Sequence, residues 1–318
     1  MKFKNITVAG GGVLGSQIAF QSAYCGFDVK IWARNENSAK RIQEKLDNLK
    51  KTYIDAINKM SKDKAEWCAG IADEKKFDKQ ECLEKVKETS KKIQIETEFE
   101  SAFKGADLVI EAIAELKQEK IDFYKKLAKV LDEKTVLVTN SSTMLPSTFA
   151  NYTGRPNKYL ALHFANNIWK KNTAEVMMHD STDKKYFDAV VKFANDIRMI
   201  ALPITKEKSG YLLNSMLVPF LLSGFDLYVN GVSDPESIDK AWTQGTGAPN
   251  GPFSIMDVVG LQTTYNIVEQ YQKVPGLFSP MLKKMMMPYN FKGMKEILEK
   301  KIKAGKLGKQ SGEGFYKY

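Results

Sequence analysis

The chain opens with a short β-branched run and a glycine-rich turn, Ile6-Thr7-Val8-Ala9-Gly10-Gly11-Gly12-Val13-Leu14-Gly15. The run is typical of a β-strand, and the turn follows the pattern G-x-G-x-x-G. Ser16 to Cys25 then has the character of a helix that ends at Gly26, and Val29 to Trp32 is typical of a second strand. This strand-turn-helix-strand unit predicts a dinucleotide site, with the pyrophosphate at the helix N-terminus.

The predicted contacts of this site lie in the turn itself. The first two glycines of the pattern allow the backbone to approach the pyrophosphate, and the third lets the helix pack on the strand. The predicted cofactor-binding residues in the turn are Gly10, Gly12, Val13, Leu14 and Gly15. The alternative is a glycine-rich turn that binds no ligand.

The end of the second strand bears on the choice of cofactor. An NAD site usually has an acidic residue there for the ribose 2′-hydroxyl, but this chain has Ala33 followed by Arg34. Without that carboxylate nothing repels a 2′-phosphate, and Arg34 is able to pair with one bidentately. These residues favour NADP over NAD. In the alternative, Arg34 is a solvated loop residue and other groups hold the ribose.

Beyond this unit, predicted strands keep alternating with helices, which indicates a mostly parallel, doubly wound sheet in an α/β domain over residues 1–202. Residues 40–92 interrupt the alternation with Lys- and Glu-rich sequence at helical spacing, and predict a protruding helical pair. The later part is helical throughout and predicts an all-α domain over residues 203–318. Further strands are predicted at 92–95, 108–112, 136–139, 159–162 and 175–178, and later helices at 209–229, 235–243, 256–274 and 291–304.

Length, cysteines and charge exclude several classes of protein. A chain of 318 residues suits two domains, and three cysteines without a C-x-x-C pair exclude a disulfide scaffold. With only two histidines, no metal site is expected. No stretch resembles a signal peptide or a membrane helix, so we expect a cytoplasmic protein with no membrane partner.

The net charge is +10, and the last 36 residues carry ten lysines against three glutamates, which gives +7 there. Such a tail attracts polyanions, but a solvated lysine-rich surface is an equally good interpretation. No nucleic-acid-binding motif accompanies it, so no nucleic-acid partner is expected.

Six further motifs lie in order along the chain: Ala106 to Glu115, Val138 to Ser142, Leu162 to Asn166, Asn214 to Pro219, Gly251-Pro252-Phe253 and Gly312 to Tyr316. In that order and at those spacings they resemble the motifs of the 3-hydroxyacyl-CoA dehydrogenase family. The resemblance implies a Rossmann-like N-terminal domain, a helical C-terminal domain that forms a homodimer, and oxidation of a short-chain L-3-hydroxyacyl-CoA such as 3-hydroxybutyryl-CoA to 3-ketoacyl-CoA. It implies NAD as the cofactor, where Ala33 and Arg34 favour NADP.

His163 is the candidate base of this chemistry, because oxidation of a secondary alcohol requires removal of the hydroxyl proton. It follows a predicted strand, and Glu175 begins the next one, where a carboxylate would fix the imidazole tautomer. The resemblance implies that they form the catalytic pair, that Ser142 hydrogen-bonds the reacting oxygen, and that Asn214 polarises the thioester carbonyl. The alternatives are a satisfied core histidine, a turn serine and a buried helix asparagine; His179 matches no motif and is expected on the surface.

The resemblance also implies that Glu115, Lys120 and Asn166 line the cofactor, although the first two are also consistent with an ordinary pair on a helix surface. After His163 the sequence departs from the family pattern: both family prolines are absent, and Trp169 predicts an altered substrate pocket. A dehydrogenase of free 3-hydroxy acids, of the L-gulonate or carnitine type, is therefore the alternative function. A nucleotide-sensing or nucleic-acid-binding protein without activity is the third.

Overall fold

The structure is a computed structural model that describes residues 1–272 and 289–318. It divides into two compact units, Met1–Leu212 and Leu213–Tyr318. The division falls later than the 202/203 boundary expected from the sequence, because a strand that continues to Ile204 belongs to the first unit. Within the part of the chain that is described, no helix is both long and apolar enough to cross a membrane.

The first unit is built on one eight-stranded sheet in the order β3-β2-β1-β4-β5-β6-β7-β8. The strands from β1 to β6 run parallel, β7 is antiparallel to β6, and β8 is parallel to β7. The sheet extends to both sides of β1, with β2 and β3 on one side and β4 to β8 on the other. This reversal of the strand order creates a crevice at the carboxyl ends of the strands, where such sheets bind ligands. The strands are β1 (Asn5–Ala9), β2 (Asp28–Trp32), β3 (Ile93–Glu96), β4 (Leu108–Glu111), β5 (Val136–Thr139), β6 (Tyr159–Phe164), β7 (Thr173–Met177) and β8 (Ile200–Ile204).

Helices cover both faces of this sheet, and β4 and β5 are buried along their whole length. Apolar residues on one face pack with α1, α2, α3 and α6, and those on the other pack with α4 and α5. The predicted α/β domain with a doubly wound sheet is confirmed. Its helices are α1 (Val13–Tyr24), α2 (Glu36–Met60), α3 (Lys79–Thr89), α4 (Phe99–Phe103), α5 (Lys117–Leu127) and α6 (Lys184–Asp196).

The helical insertion does not protrude, contrary to the prediction. Helix α2 begins after Asn35, whose side chain accepts a hydrogen bond from the Ser38 N–H, as an N-cap does. One face of α2 is buried in the core that contains α1, and its tyrosine packs against Phe20 and Tyr24. Burial of each large apolar side chain is worth about 1.5 to 3 kcal/mol, so an amphipathic helix of this length is stabilised by lying on the domain. The buried residues of α2 are Ile42, Leu46, Leu49, Tyr53, Ile57 and Met60.

Strand β8 was not predicted, because it contains Pro203 and is only partly buried. Proline lacks an N–H for the ladder and is confined to edges of sheets, and β8 is the edge strand beside β7. Because β8 is a strand only through its pairing with β7, its own sequence carries a weak strand signal.

The second unit is helical in the residues described, as predicted. The single helix predicted over 256–274 is two helices separated at Gly260, whose φ of +95° ends the first of them; Val274 lies outside the described residues. The helices are α7 (Leu213–Val229), α8 (Pro235–Thr246), α9 (Pro252–Val259), α10 (Leu261–Gln272) and α11 (Phe291–Lys303).

Two of the motifs in this unit are held by buried carboxylates. Asp239 accepts hydrogen bonds from the N–H groups of Phe253 (2.8 Å) and Ser254 (2.9 Å) at the start of α9. Asp257 accepts from those of Phe315 (2.8 Å) and Tyr316 (2.9 Å), and so fixes the C-terminal segment to α9. Each carboxylate satisfies backbone donors that would otherwise be buried without a partner.

Candidate active site

The glycine turn joins β1 to α1 and leaves the helix N-terminus open. Gly10 has a φ of +100°, and a Cβ there would lie 2.7 Å from the Ala112 carbonyl oxygen, so only glycine fits. At Gly15 a Cβ would collide with the Gly10 carbonyl oxygen, whereas at Gly12 it would meet nothing within 4 Å. The turn therefore packs closely on one side and faces open space on the other.

The start of α1 is suited to an anion. Gly12 provides no capping side chain, and the first turn contains no acidic residue. The helix dipole and the free N–H groups of this turn attract negative charge, which fits the pyrophosphate of a dinucleotide. Val13 lies here with 64% of its surface exposed, and Leu14 is half-buried.

A cavity of about 590 Å³ lies beside the turn, at the ends of β1, β2 and β4. Arg41 and Lys45 enter it from α2: Arg41 Nη2 donates to Ser38 Oγ (3.0 Å), and Lys45 Nζ donates to the Gly11 carbonyl (3.1 Å). Its charged and polar lining consists of Arg34, Ser38, Arg41, Lys45, Glu119, Asp122 and Lys126, four cations against two carboxylates. The cavity is therefore basic. Sequence reasoning assigned only Arg34 of these cations to the cofactor, and it considered Lys45 only as a contact for the phosphates of CoA.

The carboxylate expected of an NAD site is absent from the end of β2. Ala33 is buried there, and its N–H donates to the Glu96 carbonyl (2.9 Å). Arg34 is exposed at the rim of the cavity. The next acidic residue, Glu36, accepts a hydrogen bond from Thr97 (3.1 Å) and does not line the cavity.

A buried ion pair lies at the end of β4. Lys120 Nζ is 2.6 Å from Glu111 Oε1, and both side chains are almost fully buried. The hydroxyls of Tyr124 (2.6 Å) and Thr139 (2.7 Å) donate to the second Glu111 oxygen. The alternative of a helix-surface pair is therefore wrong for Lys120.

Lys120 also reaches Glu115 (3.2 Å), which organises the loop after β5. Glu115 accepts hydrogen bonds from Ser141 Oγ and from the N–H groups of Ser142 (3.1 Å) and Thr143 (3.3 Å). Burial alone would raise the pKa of Glu115, but the Ser141 hydrogen bond and the Lys120 charge outweigh it and lower the pKa. The carboxylate is thus kept ionised at a position that fixes the loop carrying Ser142.

His163 and Glu175 face each other across the one antiparallel pair of the sheet. They are direct partners in the register of β6 and β7, so their side chains lie on the same face. His163 Nδ1 is 2.9 Å from Glu175 Oε2, and His163 Nε2 is 3.2 Å from Ser142 Oγ. An ionised carboxylate only accepts hydrogen bonds, so Glu175 favours the His163 tautomer with the proton on Nδ1. This tautomer leaves Nε2 as the basic atom.

Two residues that sequence reasoning missed surround this pair. The ring of Tyr211 stacks on the His163 imidazole, with centroids 4.6 Å apart and planes at 19°. The Leu212 N–H donates to Glu175 Oε1 (2.8 Å). No local pattern marks Tyr211, because its partner lies 48 positions earlier (211 − 163).

The remaining predicted residues lie in several places. Asn214 is in α7 and belongs to the second unit, so its role stays a prediction. Asn166 is exposed in the loop after β6, next to Asn167, whose N–H donates to Gln17 of α1 (2.8 Å). Trp169 packs against Tyr53, with ring centroids 5.6 Å apart, and so joins the core beside α2.

His179 is buried, 4% exposed, and not on the surface as expected. It follows β7, where its ring lies near that of Tyr159. In the described residues, no group of three His, Cys, Asp or Glu side chains is arranged to hold a metal ion.

Known proteins are similar to this chain over nearly its whole length. It is 31% identical to the mitochondrial hydroxyacyl-coenzyme A dehydrogenase of Homo sapiens, over 99% of this chain and 91% of that protein. It is 30% identical to a probable 3-hydroxybutyryl-CoA dehydrogenase of Bacillus subtilis, over 100% and 98% respectively. A solved structure of a diketoreductase, described as acting on dicarbonyl compounds, is 40% identical with a TM-score of 0.83, and each chain covers 100% of the other.

Family models match both units. Residues 5–208 match the NAD-binding domain of 3-hydroxyacyl-CoA dehydrogenase, and residues 210–318 match its C-terminal domain. Since the two matches follow one another in the family's order and cover nearly all residues, the chain belongs to the 3-hydroxyacyl-CoA dehydrogenase family.

Proposed function

We propose that this protein interconverts a short-chain L-3-hydroxyacyl-CoA and the 3-ketoacyl-CoA, with 3-hydroxybutyryl-CoA as the type substrate. The observation that carries the proposal is the chain of contacts Ser142 Oγ, His163 Nε2, His163 Nδ1 and Glu175, at the carboxyl edge of the sheet that also holds the glycine turn. A base, its orienting carboxylate and a hydroxyl at one edge are what oxidation of a secondary alcohol needs.

In this proposal His163 Nε2 takes the proton of the substrate hydroxyl, and Glu175 stabilises the imidazolium that results. Ser142 donates to the substrate oxygen as it becomes a carbonyl, and Asn214 polarises the thioester carbonyl. A bound nicotinamide would supply the acceptor for the hydride of the carbinol carbon, or its donor in the reverse direction. Glu115 and Lys120 act beside the cofactor by fixing the loop that carries Ser142, and Asn166 lies at the edge of the same crevice.

NADP is the proposed cofactor. The basic cavity at the end of β2, with Arg34 at its rim and Ser38 and Arg41 on α2, suits a 2′-phosphate. The ribose carboxylate that would oppose such a phosphate is replaced by Ala33. Gly10, Gly12, Val13, Leu14 and Gly15 are the proposed pyrophosphate contacts, and the open space at Gly12 accommodates one.

A second candidate substrate is a free 3-hydroxy acid or the corresponding dicarbonyl compound. It is favoured by the 40% identity to a diketoreductase, which exceeds the identity to the hydroxyacyl-CoA enzymes reported above. The helical insertion packs on α1, and Lys45, one of its basic residues, is engaged by the glycine turn.

We also propose that the protein is a cytoplasmic homodimer formed through the second unit. The exposed apolar residues of this unit include Met216 (67%), Val232 (67%) and Val258 (55%). A contiguous patch of exposed apolar residues is typical of an association surface, and we propose that these residues form one. Light scattering should give twice the 35.9 kDa of one chain, and a monomer would overturn this part.

The test of the function is a set of initial rates with acetoacetyl-CoA and with free acetoacetate, each with NADPH and NADH. Oxidation of NADPH by acetoacetyl-CoA that is lost in His163→Gln is the expected result. Activity only on the free acid would favour the second candidate. No oxidation of either cofactor, although both bind, would reject the proposed reaction.

A further inference from the structure

Tyr211 contacts the catalytic candidates in a way that packing alone does not require. Its ring lies nearly parallel to the imidazole of His163, and it is 2% exposed. Its φ is +53°, the left-handed region that side chains other than glycine rarely adopt. Such a conformation costs free energy and persists where the surroundings impose it, often at functional sites.

The hydroxyl of Tyr211 fixes the position of that ring. It donates to the Ser141 carbonyl (2.7 Å), immediately before Ser142, whose Oγ faces His163 Nε2. Burial, and then the charge of Glu175, raise the pKa of this phenol, so it remains a neutral donor.

The following residue completes the arrangement, because the Leu212 N–H donates to Glu175 Oε1. Two consecutive residues thus contact His163 and Glu175 and hold the loop of Ser142. Ser142 lies in the loop after β5, His163 in β6 and Glu175 in β7, and the segment with Tyr211 and Leu212 contacts all three places.

We propose that Tyr211 is a positioning residue that holds the His163 imidazole by its ring face and stabilises the imidazolium formed when His163 takes a proton. The negative face of an aromatic ring attracts a cation, whereas an aliphatic side chain of similar size offers only contact. The hydroxyl anchors the ring to Ser141. This inference rests on the proposed function, but its geometry is testable without any substrate.

The first test is proton NMR of the whole protein. The chain has only two histidines, so two imidazole Cε1–H signals are expected, and His163→Gln assigns them. The stacked ring of Tyr211 should shift the His163 signal upfield. Tyr211→Phe should retain that shift and Tyr211→Leu should abolish it; an unshifted His163 signal in the wild type would overturn the proposal.

The second test separates kcat from KM. Tyr211→Leu should lower kcat about 10- to 30-fold, the loss expected for a desolvated cation on an aromatic face, with KM for substrate and cofactor unchanged. Tyr211→Phe should keep most of the wild-type kcat. A Leu variant with wild-type kcat, or a Phe variant as impaired as Leu, would contradict the role of the ring face.

Phe193→Leu is the matched control, because Phe193 is equally buried but packs in the core against Phe3 and Phe27. It should lower stability without changing kcat or the His163 signal. Should Tyr211→Leu fail to fold, Tyr211→Met takes its place with the same expected results. If the wild type reduces neither acetoacetyl-CoA nor acetoacetate, the proposed function fails. The NMR shift of the His163 signal still tests whether Tyr211 stacks on the imidazole.

Discussion

The basic cavity and the His163 cluster lie at the same edge of the sheet, but they differ in how completely their polar groups are engaged. Both ring nitrogens of His163 and both oxygens of Glu175 have partners within the protein. Arg34, in contrast, makes no hydrogen bond or ion pair with any other residue in the two segments described. The groups that move a proton are held by the protein, whereas Arg34, at the rim of the cavity, keeps its side-chain donors free for a charged ligand. Arg41 and Lys45 are intermediate, because each donates one hydrogen bond within the protein.

The difference has an energetic basis. A fixed imidazole does not need to reorganise at the moment of reaction, so its interactions act fully on the transition state. A cation that waits for a phosphate stays hydrated until the ligand arrives, and it forms strong charge-assisted bonds only then. We therefore expect substitutions in the cluster to affect kcat and those in the cavity to affect cofactor affinity.

The largest effect is expected for Glu175→Gln. An amide at this position no longer stabilises the imidazolium, and kcat should fall by about 10²- to 10⁴-fold, the range of general acid–base catalysis. Cofactor affinity, measured by fluorescence titration, should not change. Glu100→Gln, at an exposed position of α4, is the control; a large change in cofactor affinity with Glu175→Gln would break the contrast between the two regions.

The second largest effect is expected for Lys120→Met, which should lower the free energy of unfolding. It leaves the buried carboxylate of Glu111 without its cation, which typically costs about 3 to 5 kcal/mol. Urea unfolding measures this loss. Lys117→Met, on the exposed face of the same helix, should change the free energy of unfolding very little; equal effects of the two substitutions would show that the pair is solvated.

In the cavity, Arg34→Ala should reduce kcat/KM for NADPH by about 10- to 100-fold. This factor corresponds to the loss of a charge-assisted hydrogen bond, which is worth about 1.5 to 3 kcal/mol. The value for NADH should stay the same. Lys40→Ala is the matched control, since Lys40 is exposed on α2 but does not line the cavity. Equal losses for both cofactors would show that Arg34 does not distinguish them.

The smallest effect concerns Glu115 and pH. Its pKa is lowered in the folded protein, so its ionised form stabilises the fold, fully above its ordinary value of 4.5 and less as pH falls through the folded value. Its side chain is 38% exposed, so screening by water keeps the effect below about 1 kcal/mol. In urea unfolding, Glu115→Gln should be less stable than the wild type at pH 7, and this difference in the free energy of unfolding should shrink below about pH 4. A difference that grows in acid would show that folding raises the pKa of Glu115.

Local patterns predicted much of the first unit. The glycine turn, β1, β2 and the strand carrying His163 each depend on neighbours in sequence, and the structure places them within a few residues of their predicted bounds. The spacing of His163 and Glu175 indicated two adjacent strands, which the antiparallel register of β6 and β7 explains.

What the sequence did not predict depends on contacts between distant segments. The edge strand β8 carries a proline, and only pairing with β7 makes it a strand. Trp169 packs on Tyr53, more than a hundred positions earlier, and no local pattern indicates that contact. Arg41 and Lys45 line the cavity because α2 packs on α1, which a helical spacing alone does not indicate.

The positions of the two histidines affect how the protein behaves in solution. Histidine is the side chain whose ordinary ionisation changes between pH 5 and 8, and here one lies in the candidate active site and the other is buried behind β7. The exterior therefore has no imidazole to titrate in that range. Apart from the α-amino group, its charge should change little across neutral pH, so that a change in enzymatic rate with pH there reports mainly on the site and not on solubility or self-association.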